Sequence, residues 1–460
     1  MNELEGLLDD IRQNPHDDTP RLVAADWYED AGQPERAALI RLQCQHDRLL
    51  PQEQDPTVAR QIERLLAKHG RKWLGDLAGV GAVTWTRGFP ASIRLTASKF
   101  LARAEQIVQV FSAIQLYNSR SKIEALATCA ALQRVQSLEL SECNTTPSLL
   151  GMLIHSPHLV QLRHLGLIHC EVQTPHLEAI GNAPVMNQLE SLEIASHYAP
   201  SDGIRHLRSF NENTLRRLSL RGHDLGPVGI DLLAQLPGLK NLTELDLSYC
   251  QLEERAGQLL AEFPRFRQLK FLNLHFSTLH REGATAIAGS PILDHVERLE
   301  IGFNEISNLG ALAILNSPRL KNITQLNISH SEGTTILGRH LARSPLLPQL
   351  RVLSVHYNSL RDKGLKTLLA APELSNLVAL DLRSCDLSFE GAQAIANCPY
   401  LGNPRVLSVT GNTLGGKGAT AFIRSPYLQN LWVLTGDTYT FSNRGYDRLK
   451  HHFADRIQDH

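Results

Sequence analysis

LRVLSVHYNSL, residues 350–360, reads as LxxLxLxxNxL, with Leu350, Leu353, Val355, Asn358 and Leu360 in the marked places. The same frame falls 27 residues earlier on Ile323, Leu326, Ile328, Ser331 and Gly333, and 27 residues later on Leu377, Leu380, Leu382, Cys385 and Leu387. Extended in both directions, frames begin at Val135, Leu162, Leu189, Leu215, Leu242, Leu269, Val296, Ile323, Leu350, Leu377 and Pro404. Every interval is 27 residues except the 26 between Leu189 and Leu215. A register kept this long marks a repeat array.

The physics of one repeat follows from its two halves. In the LxL segment two apolar residues alternate with polar ones, which is the period of a short strand with one buried face. The second half changes to helical spacing. In HREGATAIAGSPIL, Ala284, Ile287 and Ala288 share a face, and Ser290-Pro291 ends the helix. Similar endings recur at Gly391–Leu401 and Gly418–Leu428. Neither half buries its apolar side alone, so consecutive units must stack into one continuous core. Helices are wider than the strand spacing of about 4.8 Å, so the strands should form the inner face of a curved array. The match resembles the ribonuclease-inhibitor-like class of leucine-rich repeats over about residues 111–440. That resemblance implies an α/β horseshoe solenoid with parallel strands inside and helices outside.

The ends depart from the repeat. Residues 96–134 read as a linker helix, SKFLARAEQIVQVF, and a degenerate capping frame at Phe111, Ile114 and Leu116. At the other end, residues 431–460 keep Leu431 and Leu434 before Gly436 and Asp437 break the frame, and FSNRGYDRLKHHFADRIQ should form a closing helix. Eleven regular repeats thus occupy residues 135–430. Residues 1–95 carry no repeat and should make a small, mainly helical domain. Residues 2–13 suit a short helix. Asp18 offers a cap before Pro20, Pro34 opens a helix with an apolar stripe of Ala38, Leu39, Leu42, Leu49 and Leu50, and a further helix runs from Pro56 to His69 with Gly70 as terminator. Val83–Leu95 is rich in β-formers and punctuated by Gly88 and Pro90. RLVAADWYEDAGQPERAALIRLQ, with Trp73 and Arg87-Gly88-Phe89, resembles the repeat-companion domain of planctomycete bacteria, a family without an assigned activity. Trp27, Leu22 and Ile40 are expected in its core, with Asp26, Glu29, Asp30 and Glu35 on a solvated face.

Composition narrows the function classes. The 460 residues are 42% hydrophobic and carry a formal net charge of −1, which gives no electrostatic case for nucleic acid or an anionic membrane as partner. The acidic, amphipathic start MNELEGLLDDIRQNP lacks a signal-peptide pattern, and no apolar run reaches the roughly 20 residues of a spanning helix. A cytoplasmic monomer is the expectation. Seven cysteines without a CxxC pair argue for packed thiols and against a disulfide framework. No GxSxG, phosphate-binding loop or HExxH occurs, so no catalytic residue, metal or cofactor is assigned.

Three rows run through the repeats. The ninth position holds Cys143, Cys170, His197, His223, Cys250, Ser277, Asn304, Ser331, Asn358, Cys385 and Asn412. These side chains should turn inward and bond backbone groups that the turn leaves unpaired. Such a row suits a ladder and gives no tetrahedral metal site. The position between the two core apolar residues runs Glu139, Gly166, Glu193, Ser219, Asp246, Asn273, Glu300, Asn327, Ser354, Asp381 and Ser408, with five carboxylates and no base. Two residues beyond the second apolar residue, five successive repeats carry rings: Tyr249, Phe276, Phe303, His330 and Tyr357, with His275 and His356 one place earlier. Rings give large contact area at low entropic cost. The expected function is therefore a protein-binding module whose partner meets the concave face at these residues, with Asp246 and Glu300 beside them. Two alternatives stand next to it: an activity in residues 1–95 with the repeats as targeting arm, and an inhibitor of a hydrolase held by the acidic row.

Overall fold

The computed structural model describes residues 3–14, 17–196, 199–209, 214–263 and 266–458. By internal contacts the chain divides into two units, residues 1–145 with 149–166, and residues 146–148 with 167–460.

In the first unit the helices are α1 (Glu3–Gln13), α2 (Thr19–Asp30), α3 (Pro34–His46) and α4 (Pro56–Leu74). An antiparallel hairpin follows, β1 (Ala82–Thr86) and β2 (Phe89–Thr96). The turn is Arg87-Gly88, both at positive φ (50° and 86°), the pairing that matches the twist of a two-residue hairpin. It is pressed onto α3 so closely that a Cβ on Gly88 would lie 2.3 Å from Ile40 Cγ1. The amide of Gly88 donates to Gln43 Oε1 (2.7 Å), and Gln43 Nε2 donates to the carbonyl of Trp85 (3.2 Å). Two short helices, α5 (Ala97–Ala102) and α6 (Ala104–Val110), replace the single linker helix expected there. Strands β3 (Ala113–Tyr117) and β4 (Ser137–Ser141) then continue in parallel from β2, with Ile93, Ile114 and Leu138 in register and buried.

Several sequence expectations for this unit are corrected. Leu22 is 36% exposed and Trp27 only half-buried, while Ile40 is core as expected. Helix α2 instead buries Pro20, Arg21, Ala24 and Ala25. Helix α3 turns Arg36, Ala37, Leu39, Ile40, Gln43 and Cys44 inward, so Ala38 and Leu42 lie at its margin and Leu49 is exposed. Asp18 does not cap α2, because its carboxylate pairs with Arg48 and Arg87; Asp17 accepts from the amide of Thr19 instead (2.8 Å). Helix α4 passes through Gly70 and ends at Gly75, whose φ of 54° supplies the terminating left-handed residue. Asp26, Glu29, Asp30 and Glu35 are exposed, the first two pairing with Arg41.

Strand β5 (His164–Ile168) falls at the junction of the units in sequence. The second unit continues with β6 (Ser191–Ala195), β7 (Arg217–Ser219), β8 (Glu244–Asp246), β9 (Phe271–Asn273), β10 (Arg298–Glu300), β11 (Gln325–Asn327), β12 (Val352–Ser354), β13 (Ala379–Asp381), β14 (Val406–Ser408), β15 (Val433–Thr435) and β16 (Ile457–Gln458). From β6 onward each pairs in parallel with the next. Leu272, Leu299, Leu326, Leu353 and Leu380 meet residue for residue at the 27-residue step, and all are buried. Each such side chain contributes about 1.5–3 kcal/mol by leaving water. The closing helix Asn443–Phe453 is present as expected, and beyond it β16 adds a further strand that periodicity did not reveal.

Between strands run the helices, among them Glu253–Ala261, His280–Gly289, Ser307–Leu315, Thr335–Ala342 and Arg361–Leu369. The last two approach so closely that a Cβ on Gly338 would lie 2.1 Å from the carbonyl oxygen of Gly364. The Ser-Pro endings do more than stop helices. Ser290, Ser317, Ser344 and Ser425 donate their hydroxyls to Ala261, Ala288, Leu315 and Ala396, at 2.5–2.6 Å. Each acceptor belongs to the helix end of the preceding repeat, so the hydroxyls tie neighbouring units together.

Candidate functional site on the strand face

The ninth-position row holds the strand ends. Asn304, Asn358 and Asn412 are buried, and each spans two repeats. The side-chain oxygen of Asn358 accepts from the amides of Ser331 (3.1 Å) and Gly333 (2.8 Å). Its nitrogen donates to the carbonyls of Ile328 (3.1 Å) and Val355 (2.9 Å). Asn304 and Asn412 repeat this pattern. Cysteine keeps a weaker version: Cys250 Sγ lies 3.0 Å from the carbonyl of Leu220 and Cys385 Sγ 3.4 Å from that of Val355, while the backbone of His223 and of Asn358 bonds to the respective sulfur. Burial pushes the Cys385 thiol up to about 12 and the Cys250 thiol well above its ordinary range, so both remain S–H donors. His197 lies outside the described residues. Among the described residues no group of three His, Cys, Asp or Glu side chains has the arrangement of a metal site.

His223 is the titratable member of this ladder. It is fully buried, its Nδ1 donates to the carbonyl of Leu220 (2.9 Å), and its Nε2 has no hydrogen-bond partner among the described residues. Burial pushes its pKa down to about 4, against the opposing hydrogen bonds to Leu220 and Arg221. A histidine depressed below its unfolded value stabilises the fold above the unfolded pKa of about 6.5 and loses that contribution as pH falls toward 4. Going from pH 7 to pH 5 should therefore cost about 2 kcal/mol from this group alone. In His223→Asn, which installs a residue the row already uses, the fall in melting temperature over that interval should shrink measurably. An unchanged acid sensitivity would assign it elsewhere.

The middle row is less free than its sequence suggests. Asp246, Asn273, Asn327 and Asp381 accept from the backbone amide two residues on, at 2.8–3.1 Å. Glu300 is paired with Arg298 (2.9 Å), and Asp381 with Arg383 (2.7 Å) and His356 (3.1 Å). Burial alone would raise the pKa of Asp381, but the hydrogen bonds from His356 and Arg383 outweigh it and hold the carboxyl well below the usual range. Glu300 and Asp381 are thus paired with cationic neighbours, while Asp246 holds its turn. Ser354 Oγ lies 2.7 Å from His356 Nδ1, the same nitrogen that faces Asp381. A hydrolytic triad needs serine and carboxylate on opposite ring nitrogens, an arrangement this trio does not have.

The ring row has a backbone peculiarity. Tyr249, Phe276, Phe303, His330 and Tyr357 all occupy the left-handed region, with φ between 43° and 61°. Gly222 and Gly411 fill the equivalent places, at φ of 81° and 76°. This conformation keeps the parallel ladder running past the strand: the amides of Tyr249, Phe276, Phe303 and His330 donate to His275, Gly302, Ser329 and His356 of the next repeat, at 2.8–3.0 Å. The rings then form a continuous strip. Tyr249 stacks on Phe276 (5.1 Å), Phe276 on Phe303 (5.9 Å) and Phe303 on His330 (4.7 Å), while Tyr357 meets Phe303 edge-on (5.8 Å). His275 and His356 flank Phe303 at 5.0 and 5.7 Å, and Arg221 lies over Tyr249 at 4.8 Å. Burial holds His275 below the ordinary imidazole range. Tyr249, Phe276 and Tyr357 remain 39%, 48% and 55% exposed, whereas Phe303 and His330 are half-buried. The strip is thus packed along its length and open on its outer side.

Together the parallel strands, helices and asparagine ladder define an α/β leucine-rich-repeat solenoid with an open sheet. The family model for the leucine-rich repeat matches residues 211–234, 238–261, 294–315 and 373–396, each a strand with its helix. No curated protein sequence matches the chain. Among solved structures, the chain is similar to one in the complex of Rad7 and Elc1 from yeast, with 14% identity, 78% of this chain and 87% of that chain covered, and a TM-score of 0.50. It is also similar, at 15% identity and a TM-score of 0.34, to a chain in the complex of TLR13 with ssRNA13, covering 80% of this chain and 64% of that one. At such identities the likeness concerns the fold alone. No helix among the described residues is long and apolar enough to cross a membrane.

Proposed function

We propose that this protein is an interaction module whose partner is another protein, bound at the strip of Tyr249, Phe276, Phe303, His330 and Tyr357. His275 and His356 support the rings from beside, and Asp246, which orders its strand end, and Glu300 adjoin them. The observation that carries this reading is that five successive repeats place rings where the backbone adopts positive φ. A non-glycine residue there costs about 1 kcal/mol or more, while ring stacking returns about 0.5–1.5 kcal/mol per pair. Any side chain with a Cβ pays that strain, as Glu142, His169 and Ser384 do at the same place, so the backbone conformation does not account for the choice of rings. What they add is exposed amphipathic surface on a rigid support, which binds with small loss of conformational entropy. The same reading takes the array as ribonuclease-inhibitor-like and residues 1–95 as a repeat-companion domain, in a cytoplasmic monomer that needs no cofactor and no nucleic acid.

The test compares the proteins retained from native extract by the wild-type chain and by the chain carrying Phe276→Ser, Phe303→Ser and Tyr357→Ser. A protein held by the first and lost by the second supports the strip; identical recoveries overturn it.

A further inference from the structure

A second feature of the molecule lies in the first unit, far in sequence from the ring strip. Arg36, on the inner face of α3, is only 6% exposed. Its guanidinium carbon sits among four rings, 4.9 Å from the centroid of Trp73, 5.0 Å from Trp85, 5.2 Å from Phe89 and 5.7 Å from Tyr28. The interaction with Tyr28 favours its charge, burial opposes it more strongly, and no carboxylate contributes. Its Nη1 atom has no hydrogen-bond partner among the described residues. Buried arginines are ordinarily matched by a carboxylate or by several acceptors. Ring faces satisfy the cation from above and below, and the Tyr28 hydroxyl bonds to one part of the guanidinium, but Nη1 is left without an acceptor among the described residues.

The same guanidinium lines a cavity of about 400 Å³. Its walls include apolar Leu8, Ile11, Phe89 and Val110, and Arg21 is a second cation at its edge. Arg21 Nη1 donates to the carbonyls of Asn14 and Asp17, whereas its buried Nε has no partner among the described residues. Both guanidinium groups line this one largely apolar hollow, and each keeps one N–H without a partner among the described residues. A planar anion accepting through two oxygens is the group that guanidinium geometry fits best.

We propose that this cavity binds a small carboxylate with an apolar body, the carboxylate drawn to Arg36 and Arg21 and the body lying against Leu8, Ile11, Phe89 and Val110. This inference does not depend on the ring strip. Trp73 and Trp85 stand in the cage, so occupancy should change the intrinsic fluorescence of the full chain. Benzoate is the probe, with benzamide as its neutral counterpart and inorganic phosphate as the oxyanion without an apolar body. Benzoate should saturate with a Kd of about 1 mM or tighter, and benzamide and phosphate should each bind at least about tenfold more weakly. Arg36→Lys keeps the charge but loses the planar fork, and should weaken benzoate by a similar factor. Because substitutions at Arg36 disturb the cage, Val110→Trp provides a separate arm: Val110 is exposed at the cavity, and a larger side chain there should fill the hollow without unfolding the unit. The proposal is overturned if benzoate does not saturate, if benzamide or phosphate matches it, or if Val110→Trp binds benzoate as the wild type does.

Discussion

Asn358→Ala should lower stability by about 3–5 kcal/mol, among the largest effects of any single side-chain truncation in the array. The side chain is buried, and removing it strands the amides of Ser331 and Gly333 and the carbonyl of Ile328, and leaves the carbonyl of Val355 only the Cys385 thiol. The hydroxyl of Ser331 also donates to Asn358 Oδ1 (2.9 Å) and would lose its acceptor. A buried group left without a partner costs about 1–3 kcal/mol, and neighbouring losses are not fully additive. Asn358→Cys should cost about half as much, because a thiol keeps one donation of the kind Cys250 and Cys385 make and its sulfur is only a weak acceptor for the two amides. Denaturant unfolding gives the magnitudes, and hydrogen exchange at Ser331 and Gly333 locates the damage. Equal loss in the two variants would mean that packing volume, not the amide acceptor, sets the cost.

The second large effect separates binding from folding. Phe276→Ser, Phe303→Ser and Tyr357→Ser together should weaken partner binding by about 100-fold or more, since clustered aromatic anchors carry about 2 kcal/mol or more each at interfaces. Stability should fall by about 2–4 kcal/mol from the lost stacking alone, since serine keeps the Cβ that strains these positions, and the array should stay folded. Ser384 already occupies the equivalent place at a φ of 49°, so serine is compatible with the ladder. A collapse of the array in the triple variant would show that the rings serve the fold.

Much of this architecture was legible in the chain because the two periods, alternation in LxL and helical spacing after it, reflect burial directly. The ninth-position row was legible too, since a buried polar residue at a fixed place implies hydrogen bonds to backbone. Residues 1–95 were read less well for a physical reason. Apolar periodicity assigns interior positions to leucines, yet α3 gives its inner face to Arg36 and Gln43, which hold the hairpin and the ring cage. The stripe through Ala38 and Leu42 was rotated accordingly. Gly70 resembles a stop in the sequence, but nothing at that point of α4 requires a left-handed residue; Gly75 is where the helix ends at positive φ. At the ring strip, sequence gave the alignment but not the conformation. The glycines at 222 and 411 were the available signal, because glycine replacing a ring at a fixed place in a strand-end turn implies positive φ. The anchoring of Asp246 and Asp381 to nearby amides was hidden because a carboxylate in an outward row reads as surface charge.

The central claim is that the outer side of the ring strip meets a protein partner. A photoreactive phenylalanine analogue at position 276 places a short-range crosslinker in the strip, and the same analogue at Thr285, exposed on the helix of that repeat, is the matched control. In native extract the account predicts a discrete crosslinked protein from position 276 that is absent from position 285 and competed away by unlabelled wild-type chain but not by the triple serine variant. Crosslinking from position 285 alone, or the same product from both positions, would contradict it.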